Sequence, residues 1–261
     1  MKTIYNLISE EFTWSYTKIE CFNDCPYKFF LQYFWGCKSQ PKFYASYGTL
    51  MHKLLEEYYK CSIFERPLKK KLLPTEFLLR FTTEVQGDRP PEQTVKKYID
   101  CGVEYLRNFQ DFPFNTVGVE KRVNFSLKGK PFVGAIDFLG ECDGGLCIID
   151  NKSRDLKPRS RRSKPTLKDE ELDSMLRQLY IYSAAVMQEY GKFPKSLCFN
   201  CFKTNTFIEE PFNIDKYNEA ISWASKSIRE VENAEEFYPN IDYFYCKNIC
   251  GVSDECCYAN P

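Results

Sequence analysis

The sequence predicts a mixed α/β fold, with a helical layer first, a central sheet next and a cysteine-rich tail last. Three observations carry this. Apolar residues recur at helical spacing up to about residue 110, strand-like alternation takes over from 117, and two long helical stretches then interleave with further strands.

The elements follow in order. Residues 13–35 open with Ser15, a candidate N-cap for a short helix, and Pro26 interrupts that helix and begins a second, aromatic one. In 46–60, Leu50, Leu54, Leu55 and Tyr58 share one stripe, which predicts an amphipathic helix. Residues 61–91, with Lys69-Lys70-Lys71 and Pro90-Pro91, read as a loop-rich connection with short helical pieces. Residues 92–110 read as helix, with Val95, Tyr98, Ile99, Val103 and Leu106 apolar. Strands are expected at 117–127, 131–140, 145–152, 195–203 and 206–211. Helices are expected at 169–190 and 215–233. A basic loop, 153–168, lies between the third strand and the helix after it, and 238–261 is irregular. The length suits one domain: a helical layer at 1–110, a core at 111–235 and a tail at 236–261.

Composition narrows the classes of function. The 36 basic residues balance 36 acidic ones, so overall charge does not advertise a nucleic-acid partner, though a local basic patch can. The opening residues lack the apolar core of a signal peptide, and no run approaches the roughly 18 apolar residues of a membrane span. A cytoplasmic protein without a membrane partner is expected. In that compartment its 13 cysteines are not a disulfide framework.

The informative stretch is ECDGGLCIIDNK, residues 141–152. Asp143-Gly144 is a hairpin signal between two apolar runs. With these two as the turn, Asp137 falls opposite Asp150, and the pleat puts Lys152 on the same face as Asp150. Two carboxylates so close repel unless a cation joins them. Lys152 is one cation; a hard divalent ion, Mg²⁺ or Mn²⁺, is another, and the backbone carbonyl of Asn151 offers it a further oxygen. An ordinary hairpin salt bridge would also carry an Asp-x-Lys tripeptide.

More of the chain fits a known family. Gly134-Ala-Ile-Asp137, Ile149-Asp150-Asn-Lys152 and Gln178-Leu-Tyr-Ile-Tyr182 occur in order. They follow Tyr47-Gly48-Thr-Leu-Met-His52 and Ser15-Tyr-Thr-Lys-Ile-Glu-Cys-Phe-Asn-Asp-Cys25-Pro26. Together these resemble the RecB-like branch of the PD-(D/E)XK nuclease superfamily, in particular the CRISPR-associated RecB-like exonucleases and their phage homologues. The resemblance spans roughly residues 13–257. It implies a restriction-endonuclease-like core and a Mg²⁺- or Mn²⁺-dependent DNA exonuclease that prefers single-stranded ends. It assigns catalytic roles to Asp137, Asp150, Lys152, His52, Gln178 and Tyr182, and metal binding to His52, Asp137, Asp150 and the Asn151 carbonyl. His52 is the sole histidine, beside the apolar stripe of its helix. Gln178 and Tyr182, one helical turn apart, would contact DNA or the lysine. Glu120 matches an acid often found near such sites; a solvated strand-end glutamate is the equal alternative.

The tail segment CKNICGVSDECC, 246–257, suits a soft metal, zinc or iron–sulfur. Adjacent Cys256 and Cys257 would share one ion only under strain, so a ligand from elsewhere is more natural. The resemblance to iron–sulfur members of the family implies a [4Fe–4S] cluster held by Cys25, Cys246, Cys250 and Cys256. Three residues separate Cys246 from Cys250, where such relatives commonly have two, so Cys257 or Cys21 remains a substitute and Zn²⁺ an alternative. The loop after Lys152 carries Arg154, Lys157, Arg159, Arg161, Arg162 and Lys164, a candidate DNA-binding run. The expected partners are DNA ends and, with them, an integrase, recombinase or helicase. A non-catalytic DNA-end-binding or assembly module is the other class of function.

Overall fold

The computed structural model describes residues 12–63 and 69–259; residues 1–11, 64–68 and 260–261 of the regions named above lie outside it. Helices α1 (Tyr16–Asp24), α2 (Pro26–Tyr33), α3 (Phe43–Ile63), α4 (Leu73–Glu84) and α5 (Glu92–Asn108) come first. Strands β1 (Asn115–Leu127), β2 (Lys130–Cys142) and β3 (Gly145–Lys152) form a meander. Helix α6 (Leu167–Tyr190), strands β4 (Ser196–Cys201) and β5 (Thr206–Pro211), helix α7 (Ile214–Glu232) and short α8 (Tyr243–Asn248) follow. The mixed α/β class holds. The sheet runs β1-β2-β3-β4-β5, antiparallel except for the parallel β3–β4 pair, which α6 connects.

Local chemistry explains the helix ends. Ser15 caps α1 by accepting from the Lys18 N–H at 3.2 Å. Cys25 caps α2, with Pro26 at the first helical position, where its missing N–H is harmless. Thr166 and Asp169 form a reciprocal capping box on α6, and Gly191 closes that helix at φ 70°. Helix α4 exceeds the short pieces expected in 61–91. Pro74 lies in its first turn rather than breaking it, and Leu73, Phe77 and Phe81 are buried at successive turns.

Two cores sandwich the sheet. On one face, α1, α6 and α7 pack on Ile136, Leu139, Ile148, Leu197 and Phe199. On the other, α3, α4 and α5 pack on Phe138, Ile149 and Cys198. Strands β1 and β2 exchange faces part-way along. Val123 and Ile136 belong to the α6 side, whereas Val119 and Phe138 belong to the α3 side, although strict alternation would keep each pair together. The exchange falls between the pairs Val119↔Phe138 and Lys121↔Ile136, where Glu120 sits opposite Asp137 with a left-handed φ of 47°. This kink brings Asp137 to the boundary of both layers.

The tail returns to the N-terminal helices. Gln40 N–H donates to the Gly251 carbonyl at 2.7 Å, and Lys42 Nζ to Ser253 Oγ at 3.0 Å. A Cβ at Gly251 would collide with Ser39 and the Gln40 carbonyl oxygen, so only glycine permits this approach.

Candidate active site

The site forms where β2 and β3 part. Asp143 and Gly144 make the turn with φ of 48° and 71°, the paired left-handed conformation of a type I′ hairpin. The ladder runs from Cys142↔Gly145 to Phe138↔Ile149 and ends there. The next positions are Asp137 and Asp150. The Asp137 carboxylate takes over the role of a strand partner: its Oδ2 accepts the Asn151 N–H at 2.8 Å. The same oxygen lies 3.2 Å from His52 Nδ1, which α3 delivers from above.

Asp150 is buried. Its Oδ2 forms an ion pair with Lys152 Nζ at 2.7 Å and accepts no hydrogen bond from any other group among the described residues. Lys152 Nζ donates to Gln178 Oε1 at 2.9 Å, and Gln178 Nε2 points to the Tyr182 hydroxyl at 3.4 Å. The Tyr182 ring lies over Gly134, where a Cβ would come within 2.5 Å of it. The six side chains expected to act together thus fall into two contact groups, His52–Asp137 and Asp150–Lys152–Gln178–Tyr182, on either side of the Asn151 peptide.

Glu120 joins them. One ligand atom each from His52, Glu120 and Asp137 lies within 4.8 Å of the others. These three, with Glu56 and Ser153, line a cleft of about 540 Å³ between α3 and the sheet. Glu120, Asp137 and Asp150 thereby form a row of carboxylates on three neighbouring strands. Their titration reflects the crowding. Burial pushes Asp150 up to about 6, with Asp137 adding to the rise and Lys152 opposing it. Burial and the Asp137 and Glu56 carboxylates push Glu120 up to about 7. Burial works against the charged form of Asp137, but His52 and the Asn151 N–H outweigh it and hold that carboxyl below its usual range. His52 is raised in return, because Asp137 outweighs its burial.

The arrangement fits a hard divalent cation. One imidazole nitrogen and the carboxylate oxygens beside it form a ligand set of the type Mg²⁺ and Mn²⁺ accept.

The basic loop is more ordered than its composition suggests. Asp169 accepts from the N–H and hydroxyl of both Ser160 and Thr166, each at 2.7 Å, closing 160–166 into a strap. Arg159 is engaged within the fold, 2.6 Å from Asp173 and 2.7 Å from Glu210. Lys157 pairs with Asp155 at 3.0 Å, and Arg154 Nη1 lies 3.5 Å from Met175 Sδ. Arg161, Arg162 and Lys164 are exposed on the strap.

Far along the chain but adjacent in space, Cys25, Cys246, Cys250 and Cys256 line one narrow recess. Cys257 instead lies 3.6 Å from the Tyr27 hydroxyl, and Cys21 donates to Gln32 Oε1 at 3.3 Å. The N–H groups of Lys28 and Asn240 point at Cys25 Sγ, at 3.4 and 3.5 Å.

The model of the PD-(D/E)XK nuclease superfamily matches residues 13–257. The chain belongs to that superfamily. The family uses divalent metals and supports a nuclease role with DNA as substrate, and the His52–Glu120–Asp137 group of this superfamily member suits such a metal. Its fold is also that of a crystal structure described as "Putative exonuclease" from Eubacterium rectale. That match has TM-score 0.53 at 14% identity and covers 92% of this chain and 90% of the other. A second solved structure, SSO0001, matches at TM-score 0.37 and 16% identity over 96% of this chain and 88% of that one. No curated relative matches this superfamily member by sequence. Among its described residues no helix is long and apolar enough to cross a membrane.

Proposed function

We propose that this chain is a Mg²⁺- or Mn²⁺-dependent deoxyribonuclease that acts as an exonuclease with a preference for single-stranded ends. The observation that carries the reading is the convergence of His52, Asp137, Asp150 and Lys152 at the fork of β2 and β3. His52, Asp137, Asp150 and the Asn151 carbonyl would hold the ion, with Glu120 beside them. A divalent cation there supplies Lewis acidity toward the scissile phosphate and makes water a better nucleophile at neutral pH. The remaining work belongs to the protein. Asp150 and Gln178 fix the Lys152 ammonium in place, so its charge meets the phosphate without reorganisation as negative charge builds. The Asn151 N–H and His52 orient Asp137 through its Oδ2.

Arg161, Arg162 and Lys164 offer phosphate contacts, and exposed Trp35, Tyr238, Tyr243 and Phe244 offer faces on which unpaired bases stack. The sequence resemblance favours DNA end processing in CRISPR adaptation, phage recombination or repair, alongside an integrase, recombinase or helicase. The recess formed by Cys25, Cys246, Cys250 and Cys256 supports a [4Fe–4S] cluster. It would tie α2 to the tail and restrict the unfolded chain, as long-range crosslinks do. About four irons and as many sulfides per anaerobically purified chain are expected; a colourless zinc protein refutes the cluster.

The decisive test is cleavage of end-labelled single-stranded DNA with Mn²⁺. The wild-type protein should degrade it, and Lys152→Ala should lose at least about a hundredfold in rate, the loss seen on removing one preorganised charge-stabilising group. Robust cleavage by that variant would sink the mechanism. DNA binding without any turnover by wild type would favour the end-binding module.

A further inference from the structure

A second polar group crosses the sheet behind the carboxylates. Asn151 of β3 and Asn200 of β4 are partners in the parallel ladder. Asn200 Nδ2 donates to Asn151 Oδ1 at 2.7 Å and to the hydroxyl of Tyr105, from α5, at 2.6 Å. The exposures of Asn151, Asn200 and Tyr105 are 6%, 5% and 1%, so water does not satisfy these groups. Apolar side chains would fill the same space without the desolvation penalty of amides and a hydroxyl. The group lies on the α3–α5 side, opposite the face that carries Lys152, and none of its side chains belongs to the reacting set.

Asn151 makes this buried chain more than a packing feature. Its N–H is the donor that fixes Asp137, and its carbonyl is the oxygen offered to the cation. Yet it lies past the last β2–β3 ladder pair, Phe138↔Ile149, where the two strands have separated. On that side the peptide is held by the Asp137 carboxylate rather than by a neighbouring backbone. Orientation there depends on β4 and on the side chain. A hydrogen bond anchored through Asn200 to a fully buried tyrosine restrains residue 151 directionally, which apolar contact would not do.

We propose that Asn200 and Tyr105 are positioning residues, which hold the Asn151 peptide so that Asp137 and the carbonyl stay fixed for the metal. This rests on the nuclease reading above. It adds a link from the helical layer, through α5, to the metal site.

The test is Mn²⁺ binding to the purified full chain without DNA, read from the paramagnetic resonance signal of free Mn²⁺. Asn200→Leu removes both donated hydrogen bonds; Tyr105→Phe removes only the hydroxyl. Outer-shell partners typically control metal affinity by about 10- to 100-fold. Asn200→Leu should therefore weaken Mn²⁺ binding about tenfold or more, and Tyr105→Phe about threefold or more. The Mn²⁺ concentration for half-maximal cleavage should rise by the same factor, with KM for DNA within about twofold of wild type. Ile228→Val, in the opposite core, is the stability control. Its melting temperature should fall with Mn²⁺ affinity unchanged. Wild-type affinity in both variants, or an equal loss in the control, overturns the proposal while metal-dependent cleavage by wild type leaves the nuclease reading standing. A wild-type chain that neither binds Mn²⁺ nor cleaves DNA overturns both. Should Asn200→Leu fail to fold, Tyr105→Phe decides alone.

Discussion

Replacing Asp150 with asparagine should stabilise the protein in metal-free buffer at neutral pH while abolishing cleavage. Burial holds the Asp150 carboxyl near about 6, despite the neighbouring lysine. In an unfolded chain the same group titrates near about 3.9. The direction follows from that gap. Above about pH 6 both states ionise Asp150, the folded one against its burial, so ionisation favours unfolding by about 3 kcal/mol. The penalty shrinks as pH falls from 6 toward 4 and vanishes below about pH 4, where the unfolded carboxyl is protonated too. Asparagine mimics the protonated acid and escapes the penalty at every pH. For a chain of this size 3 kcal/mol corresponds to roughly 6–12 °C in Tm.

Urea and thermal unfolding of wild type and Asp150→Asn, from pH 4.5 to 8 without divalent ions, measures the gap. Wild type should gain stability relative to the variant as the solution is acidified, and the two curves should converge. Saturating Mn²⁺ should then favour wild type, because an ion that binds only the folded state stabilises it by mass action. A variant less stable than wild type at pH 7 without metal, or a gap unchanged between pH 5 and 8, refutes the reasoning.

Gly134→Ala drives a Cβ into the Tyr182 ring at 2.5 Å. It should destabilise the fold by about 1–3 kcal/mol in urea unfolding, and displacing Tyr182 should lower cleavage through Gln178 and Lys152. On the proposed cluster, Cys25→Ser should remove most of the iron from anaerobically purified protein and expose the segment after residue 236 to limited proteolysis; full iron retention by this variant rules Cys25 out as a ligand.

Much of the site is legible in the sequence because a hairpin is a counting device. Asp143-Gly144 admits two successive left-handed residues, and that alone sets the register. The count from the turn puts Asp137 across from Asp150, and the ladder keeps that count to its last pair. Lys152 follows from the pleat, whereas His52 comes from the family resemblance, with its place beside the apolar stripe of α3 as support. Helix α4 is harder to see, because a lysine run and a proline mask its start, although Leu73, Phe77 and Phe81 keep helical spacing. Arg159 belongs by composition to a solvated basic loop; its partners Asp173 and Glu210 come from α6 and β5, and only tertiary structure brings them together.

Glu120 shows where alternation stops being a guide. Period-two reasoning assumes that a strand keeps its facing from end to end. Here one non-glycine residue takes a left-handed φ, a conformation that ordinarily carries a steric penalty, and both β1 and β2 change faces at that point. Local preference would not choose this. The kink persists because packing on both sides holds it: Val119 and Phe138 are drawn into the α3 core, and Val123 and Ile136 into the α6 core. The same kink brings Glu120 and Asp137 to one point between the layers, where His52 meets them. A single asparagine in the otherwise apolar strand LCFNC is the sequence trace of the support beneath them. It reads as a weak strand position until Asn151 and Tyr105 are seen to accept from it. Strain and buried polarity thus lie at the fork where β2 and β3 separate, which is where a rigid ligand set is needed and where backbone hydrogen bonds no longer supply it.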